Sequence, residues 1–274
     1  MPDLSVFLPM LALILMIGAF AGVIAGLLGV GGGIVLVPAF YFAFEGLGYG
    51  PEGLMQVCLG TSLATIVVTS VRSMLAHNKK GAVDWPILKS WGPGIAVGAL
   101  LGVFAASGLR GEVLMVIFGV LGVMVGLYLA FGRASWRLGE EMPKGVGRAI
   151  TSPVLGFLSV LMGIGGGSFG VPLMTLYGVA IHRAVATAAG FGLMIAVPSV
   201  IGFLLLPGMA ENRPPFTVGH VNMVAFVVVV AMTLVTTPWG VRLAHAMDPK
   251  PLKRVFAVFI MVMALNMLRK AFIG

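Results

Sequence analysis

Apolar residues run nearly unbroken from Leu4 to Leu28, Leu54 to Val71, Ile95 to Ala106, Val113 to Phe131, Ala184 to Leu206, Val218 to Val235 and Val255 to Leu268, with short polar connections between them. Most of these runs approach the ~20 residues that carry an α-helix across a ~30 Å hydrocarbon core. Two glycine clusters, Gly29-Val-Gly-Gly-Gly33 and Gly163-Ile-Gly-Gly-Gly167, interrupt apolar sequence elsewhere. Glycine costs about 1 kcal/mol relative to alanine in a helix interior, so three in a row predict a break. The second interrupted element, from Ala149 to Gly178, is marginal for two full crossings at about 1.5 Å per residue, which favours a broken or re-entrant geometry over two ordinary helices.

Composition sharpens the picture. Hydrophobic residues make up 59% of the chain and charged ones 9%, against about 25% charged in a soluble domain. That balance excludes a water-soluble fold. The net charge of +8 sits in short loops, where topology places Lys and Arg, and gives no sign of a nucleic-acid partner. Met1-Pro2-Asp3 supplies no basic leader, so the first apolar run is expected to be retained as a membrane segment. Cys58 is the single cysteine, which rules out an intramolecular disulfide or a thiol-based metal cluster.

The chain repeats itself. Gly29 to Pro38 and Gly163 to Pro172 share six identities in ten positions at an offset of 134, and both end in Val-Pro. Gly22 pairs with Gly156, Gly81 with Gly219, Gly102 with Gly240 and Phe118 with Phe256 at similar offsets. One membrane domain over 1–274 is expected, with repeat halves 1–135 and 145–274 joined by a basic cytoplasmic loop carrying Arg133, Arg137, Lys144 and Arg148.

Charge gives the halves their direction. The loop holding Lys79, Lys80 and Lys89 is basic in the first half, and its counterpart near Arg213 is not. The next connection reverses the bias, with Arg242, Lys250, Lys253 and Arg254 in the second half against Arg110 alone in the first. If basic loops face the cytoplasm, equivalent loops lie on opposite sides, and the repeats are inverted. Glu45 and Glu52 would then face outward. The expected fold is an all-α polytopic membrane protein of two inverted repeats. Each would hold three plain transmembrane helices and a glycine-interrupted, broken or re-entrant helical element.

Glycine-rich boxes of this form, one opening each half and followed by Val-Pro, resemble the TauE/SafE sulfite exporter family. The resemblance spans nearly the whole chain and includes Gly60-Thr61-Ser62 and Ala186-Thr187-Ala188 in matching segments. It implies a multi-pass transporter of the bacterial inner membrane whose substrate is sulfite, thiosulfate or an organosulfonate. Ala188 stands where the first half has Ser62, so a symmetric pair of hydroxyls is not available.

The boxes suggest how an anion can be held. Non-helical backbone at membrane depth survives when it is buried in protein or lines a wet cavity, and interrupted segments at matching repeat positions point to a transporter site. Successive glycine N–H groups can converge on an oxyanion, and a following helix start adds partial positive charge. The candidate ligands are Gly29, Gly31, Gly32 and Gly33 with Thr61 and Ser62, then Gly163, Gly165, Gly166, Gly167 and Ser168 with Thr187 and Arg183. Small residues also let membrane helices pack closely, so a packing role stands beside the binding one. Arg72, His77 and His182 are gating or proton-coupling candidates; a snorkelling anchor and solvated loop histidines are the plainer readings.

All nine acidic residues fall in loops or at segment ends, which leaves no carboxylate at mid-membrane. The boxes lack the Gly-Lys-Ser/Thr of a phosphate-binding loop and the strand-to-helix setting of a dinucleotide site. No catalytic set, metal site or cofactor is expected. The expected activity is secondary transport of a small sulfur-containing anion by alternating access. A channel-like facilitator, or a membrane enzyme or assembly factor with packing boxes, are the competing readings. Export or uptake, proton or sodium as coupling ion, and monomer or homodimer all stay open at this point.

Overall fold

The computed structural model describes residues 4–28, 33–132, 136–207, 213–246 and 249–273. Among these lie ten helices, five on each side of the loop that carries Arg137. The first series is α1 (Leu4–Leu28), α2 (Gly33–Gly46), α3 (Leu54–Lys79), α4 (Trp85–Gly108) and α5 (Gly111–Phe131). The second is α6 (Gly145–Leu161), α7 (Gly167–Leu176), α8 (Ile181–Leu205), α9 (Met223–Ala246) and α10 (Pro249–Ile273). Helices α3, α4, α5, α8 and the Met223–Gly240 part of α9 are long and apolar enough to cross a membrane. Their outward faces expose Val97, Leu101 and Phe104 on α4 and Val120 and Met124 on α5. Apolar belts of that kind are a liability in water and the normal surface in lipid. The chain is a multi-pass, helical membrane protein.

Packing across the series is reciprocal. α3 lies against α8 and α5 against α10, while α4 packs on α6 and α8 and α9 packs on α1 and α3. Lipid gives helices no hydrophobic reason to associate, so close approach through small residues supplies the packing. Gly156 of α6 meets the Ile95 carbonyl of α4, and a Cβ on Gly98 would overlap the Pro153 carbonyl of α6. On the other side, Gly22 of α1 is held against Thr233 and Thr236 of α9.

Helix ends follow the same pairing. Asp84 Oδ1 accepts the Ile87 N–H at 3.1 Å and starts α4, with proline in its first turn. Asn222 Oδ1 accepts the Ala225 N–H at 2.8 Å and starts α9. Each cap follows by three residues a glycine at positive φ, Gly81 at 64° and Gly219 at 55°, a conformation that glycine adopts without steric cost.

The structure departs from the expected elements in two places. A two-stranded antiparallel hairpin, β1 (Thr217–Val218) and β2 (Val221–Asn222), occupies the end of the Arg213 connection and the first residues of the apolar run expected from Val218. Its turn uses Gly219, and four residues of strand leave no apolar alternation to detect. The second interrupted element also begins at Gly145, ahead of Ala149, and comprises two helices of 17 and 10 residues. At 1.5 Å per residue these span about 26 and 15 Å, each short of the ~30 Å core.

Candidate functional site

The break between α6 and α7 is built from Met162 to Gly166. Gly163 takes φ 61° and ends α6. Its N–H donates to Val160 O and that of Ile164 to Ser159 O, each at 2.9 Å. This double bond pattern is the left-handed helix stop that glycine makes possible. The chain re-enters helix when Gly170 N–H donates to Gly166 O at 2.8 Å. Between those two points the N–H groups of Gly165, Gly166, Gly167, Ser168 and Phe169 have no hydrogen-bond partner among the described residues.

Those donors are enclosed. Every residue from Leu161 to Ser168 is buried. Ser168 Oγ is also buried and without a partner, as is Ser159 Oγ at the end of α6. A buried donor left unpaired costs about 1–3 kcal/mol, which makes the cluster a candidate binding site. Close packing accounts for only one side of the turn: a Cβ on Gly166 would lie 2.5 Å from the Ala188 carbonyl and from Phe191 Cβ of α8. It does not account for the unused donors.

The two boxes meet here. A Cβ on Gly33, at the start of α2, would lie 2.8 Å from Gly163 O and 3.0 Å from Ile164 Cα. Gly29, Gly31 and Gly32 lie outside the described residues. Gly165 faces Ile66 of α3, whose Cγ2 would be 3.2 Å from an added Cβ, and Gly167 opens α7 beside the unpartnered Ser168. Ser62 donates its hydroxyl to Gly163 O at 2.7 Å, which ties α3 to the second box.

The two threonines are engaged across the halves. Thr61 Oγ1 accepts the Asn222 N–H and Thr187 Oγ1 accepts the Asp84 N–H, both at 2.9 Å. Arg183 sits at the start of α8 and pairs with Asp84 Oδ2 at 3.0 Å, away from the box. Arg72 is exposed toward the end of α3, His77 is half-buried one turn further on, and His182 is exposed at the start of α8. The structure therefore brings Gly33, Ser62, Gly163, Gly165, Gly166 and Ser168 together and leaves the cationic candidates at the periphery.

A family model described as sulfite exporter TauE/SafE matches residues 14–267. The chain belongs to the TauE/SafE family. A probable membrane transporter protein of Haemophilus influenzae is 29% identical over 94% of this chain and 98% of its own length. Similar proteins of the same printed description occur in Methanocaldococcus jannaschii, 24% identical over 96% of this chain and 97% of its own length, and in Bacillus subtilis, 28% identical over 87% and 88%. No solved structure matches.

Several residues of this TauE/SafE chain escape a sequence reading. Asp84, with Trp85-Pro86 on its flank, caps α4, but its link to Thr187 is tertiary. Asn222 has no such flank. Ser159 and Gln56 are polar residues in apolar helices, and only their missing partners in the folded chain single them out.

Proposed function

We propose that this TauE/SafE transporter is a secondary transporter of a small sulfur-containing anion, sulfite or an organosulfonate, in the bacterial inner membrane. The observation that carries the reading is the buried turn at Gly165 to Ser168, where successive N–H groups and the Ser168 hydroxyl stand without partners among the described residues. All are donors, and the N-terminus of α7 adds partial positive charge, so the chemistry that fits is an oxyanion. Gly33 brings the first box to the same place, so the site draws on both halves.

Alternating access between inverted halves is the mechanism proposed. It is supported by the reciprocal packing of α4 with α6 and α9 with α1, and by the crossed threonine bonds at Asn222 and Asp84. Basic charge on opposite members of each loop pair supports the inversion. One domain then rocks about α3 and α8, which lie against each other. Counterflow in proteoliposomes tests the reading: unlabelled sulfite or sulfonate inside should drive transient accumulation of labelled anion. Flux without counterflow would identify a channel, and no flux of these anions would reject the substrate class.

A further inference from the structure

One face of α3 runs along the break between α6 and α7. Ser62, Ile66 and Ser70 recur at intervals of four, so they lie on one side of the helix. Ser62 donates to Gly163 O at 2.7 Å. Ile66 reaches both boxes: Cβ atoms added to Gly33 and Gly165 would lie 2.9 and 3.2 Å from its side chain. One turn further, Ser70 comes against Gly192 of α8. A Cβ on Gly192 would overlap Ser70 Oγ and lie 3.6 Å from Gly166 N.

The side chain that Gly192 lacks therefore leaves a space with a hydroxyl on one wall and the Gly166 nitrogen on another. The two donors are at most about 6 Å apart across it. One oxyanion covers that span with hydrogen bonds of about 2.7–3.0 Å at each end. The Gly166 N–H belongs to the unpartnered turn already described.

Ser70 is 9% exposed and is the last buried residue of α3; Val71 and Arg72 beyond it are exposed. Hydroxyls in helices commonly bond a carbonyl of the preceding turn. Thr65 does so with Ser62 O at 2.6 Å, and Thr69 with Thr65 O at 3.2 Å. Ser70 makes no hydrogen bond among the described residues. Close packing explains why residue 192 is glycine, but not why the group it accommodates is a bare hydroxyl. With Thr187 matched to Thr61, the equivalents of Ser62 and Ser70 on α8 are Ala188 and Ala196. The same helix face thus works without hydroxyls in the second half.

We infer that Ser70 is a substrate-binding residue, whose hydroxyl and the Gly166 N–H hold one oxyanion between them in the space beside Gly192. This rests on the anion-transport reading above and adds to it a ligand from α3. The sulfur-centred group, sulfite or the sulfonate end of a larger anion, then bridges the helix of the first half to the box of the second. Every contact it makes there is with a neutral donor.

The test is calorimetric titration of sulfite and of methanesulfonate into purified protein carrying Ser70→Ala or Ser70→Cys. Cysteine keeps the shape of serine with a much weaker donor. Both variants should bind about tenfold more weakly or worse, the loss of one hydrogen bond to a charged group, with the unfolding midpoint preserved. If Ser70→Ala unfolds early, Ser70→Cys decides alone. Natural affinity in Ser70→Cys beside weak binding in Ser70→Ala would show that volume matters and donation does not, and would overturn the contact. Natural affinity in both would overturn it too, and weakened binding in Ser168→Ala would then leave the box reading standing. No binding of either anion by the natural protein would sink the substrate class and the Ser70 contact together.

Discussion

Thr61 Oγ1 accepts the backbone N–H of Asn222 at 2.9 Å, and Thr187 Oγ1 accepts that of Asp84 at the same distance. Each hydroxyl sits two turns into its helix and satisfies the residue that caps a helix of the other half. Thr61, Thr187 and Asn222 are fully buried, so the Asn222 N–H has no water as a substitute, and Asp84 is half-buried. Thr61→Val or Thr187→Val should each cost about 1–3 kcal/mol, the cost of a buried donor left unpaired. Thermal unfolding in detergent should show losses of similar size for the two variants, with Thr→Ser recovering most of each. A loss confined to one threonine would contradict the reciprocal arrangement.

The Asp84 carboxylate divides its work between the Ile87 N–H and Arg183. Arg183 is 55% exposed, so the ion pair is worth at most about 1 kcal/mol, and Arg183→Gln should leave the unfolding midpoint nearly unchanged. Asp84→Asn should also be tolerated, because Asn222 performs the same cap in the second half. Asp84→Ala removes the cap and should cost about 1 kcal/mol. A series in which Arg183→Gln proved the most damaging would show that charge, not capping, holds this junction.

His220 gives stability a pH dependence of known sign. Burial depresses its folded-state pKa below the ordinary 6.5, so the unfolded chain binds the proton more readily. The contribution is complete above that value and is lost as pH falls toward the folded-state pKa. Midpoints measured from neutral to mildly acidic pH should fall for the natural protein and fall less for His220→Gln. Parallel pH profiles for the two proteins would show that His220 does not titrate on unfolding.

The inverted arrangement can be tested with single cysteines, since the one native thiol, Cys58, is fully buried and can be replaced by alanine. Cysteines at Lys80 and Arg254, both exposed, should react with an impermeant maleimide from the same side of the membrane. A cysteine at Glu52, also exposed, should react from the other side. Lys80 and Arg254 labelled from opposite faces would contradict inversion.

Helix spans and the break at Gly163 were legible because both rest on local rules: apolar length in one case and the backbone freedom of glycine in the other. The pairing of Gly81 with Gly219, visible only as an identity, acquires a reason in their positive φ ahead of two caps. The caps themselves were hidden. Asp84 and Asn222 differ in type, and the spacing between halves changes from Thr61/Thr187 to Asp84/Asn222, so no fixed offset aligns both pairs. Thr61 and Thr187 were identified as polar residues near the boxes, but a hydroxyl in an apolar helix does not announce its partner. Ser159 and Gln56 lay beyond reach for the same reason, since being unpartnered is a property of the fold.

The central claim, that partnerless donors at the α6–α7 turn hold an oxyanion, is tested most directly by calorimetric titration of sulfite and a short organosulfonate into purified protein. Ser168→Ala and Gly165→Ala are the informative variants. The first removes an unpartnered hydroxyl, and the second adds a Cβ 3.2 Å from Ile66 Cγ2, a contact that a flexible side chain can yield to. Gly166→Ala is unsuitable, because its Cβ would overlap the Ala188 carbonyl and disturb α8. Hydrogen bonds to charged groups contribute about 1.5–3 kcal/mol, so Ser168→Ala should weaken binding about tenfold to a hundredfold with its unfolding midpoint preserved. Unchanged affinity in Ser168→Ala and Gly165→Ala variants that unfold at the natural midpoint would contradict the claim and assign the glycines to packing alone.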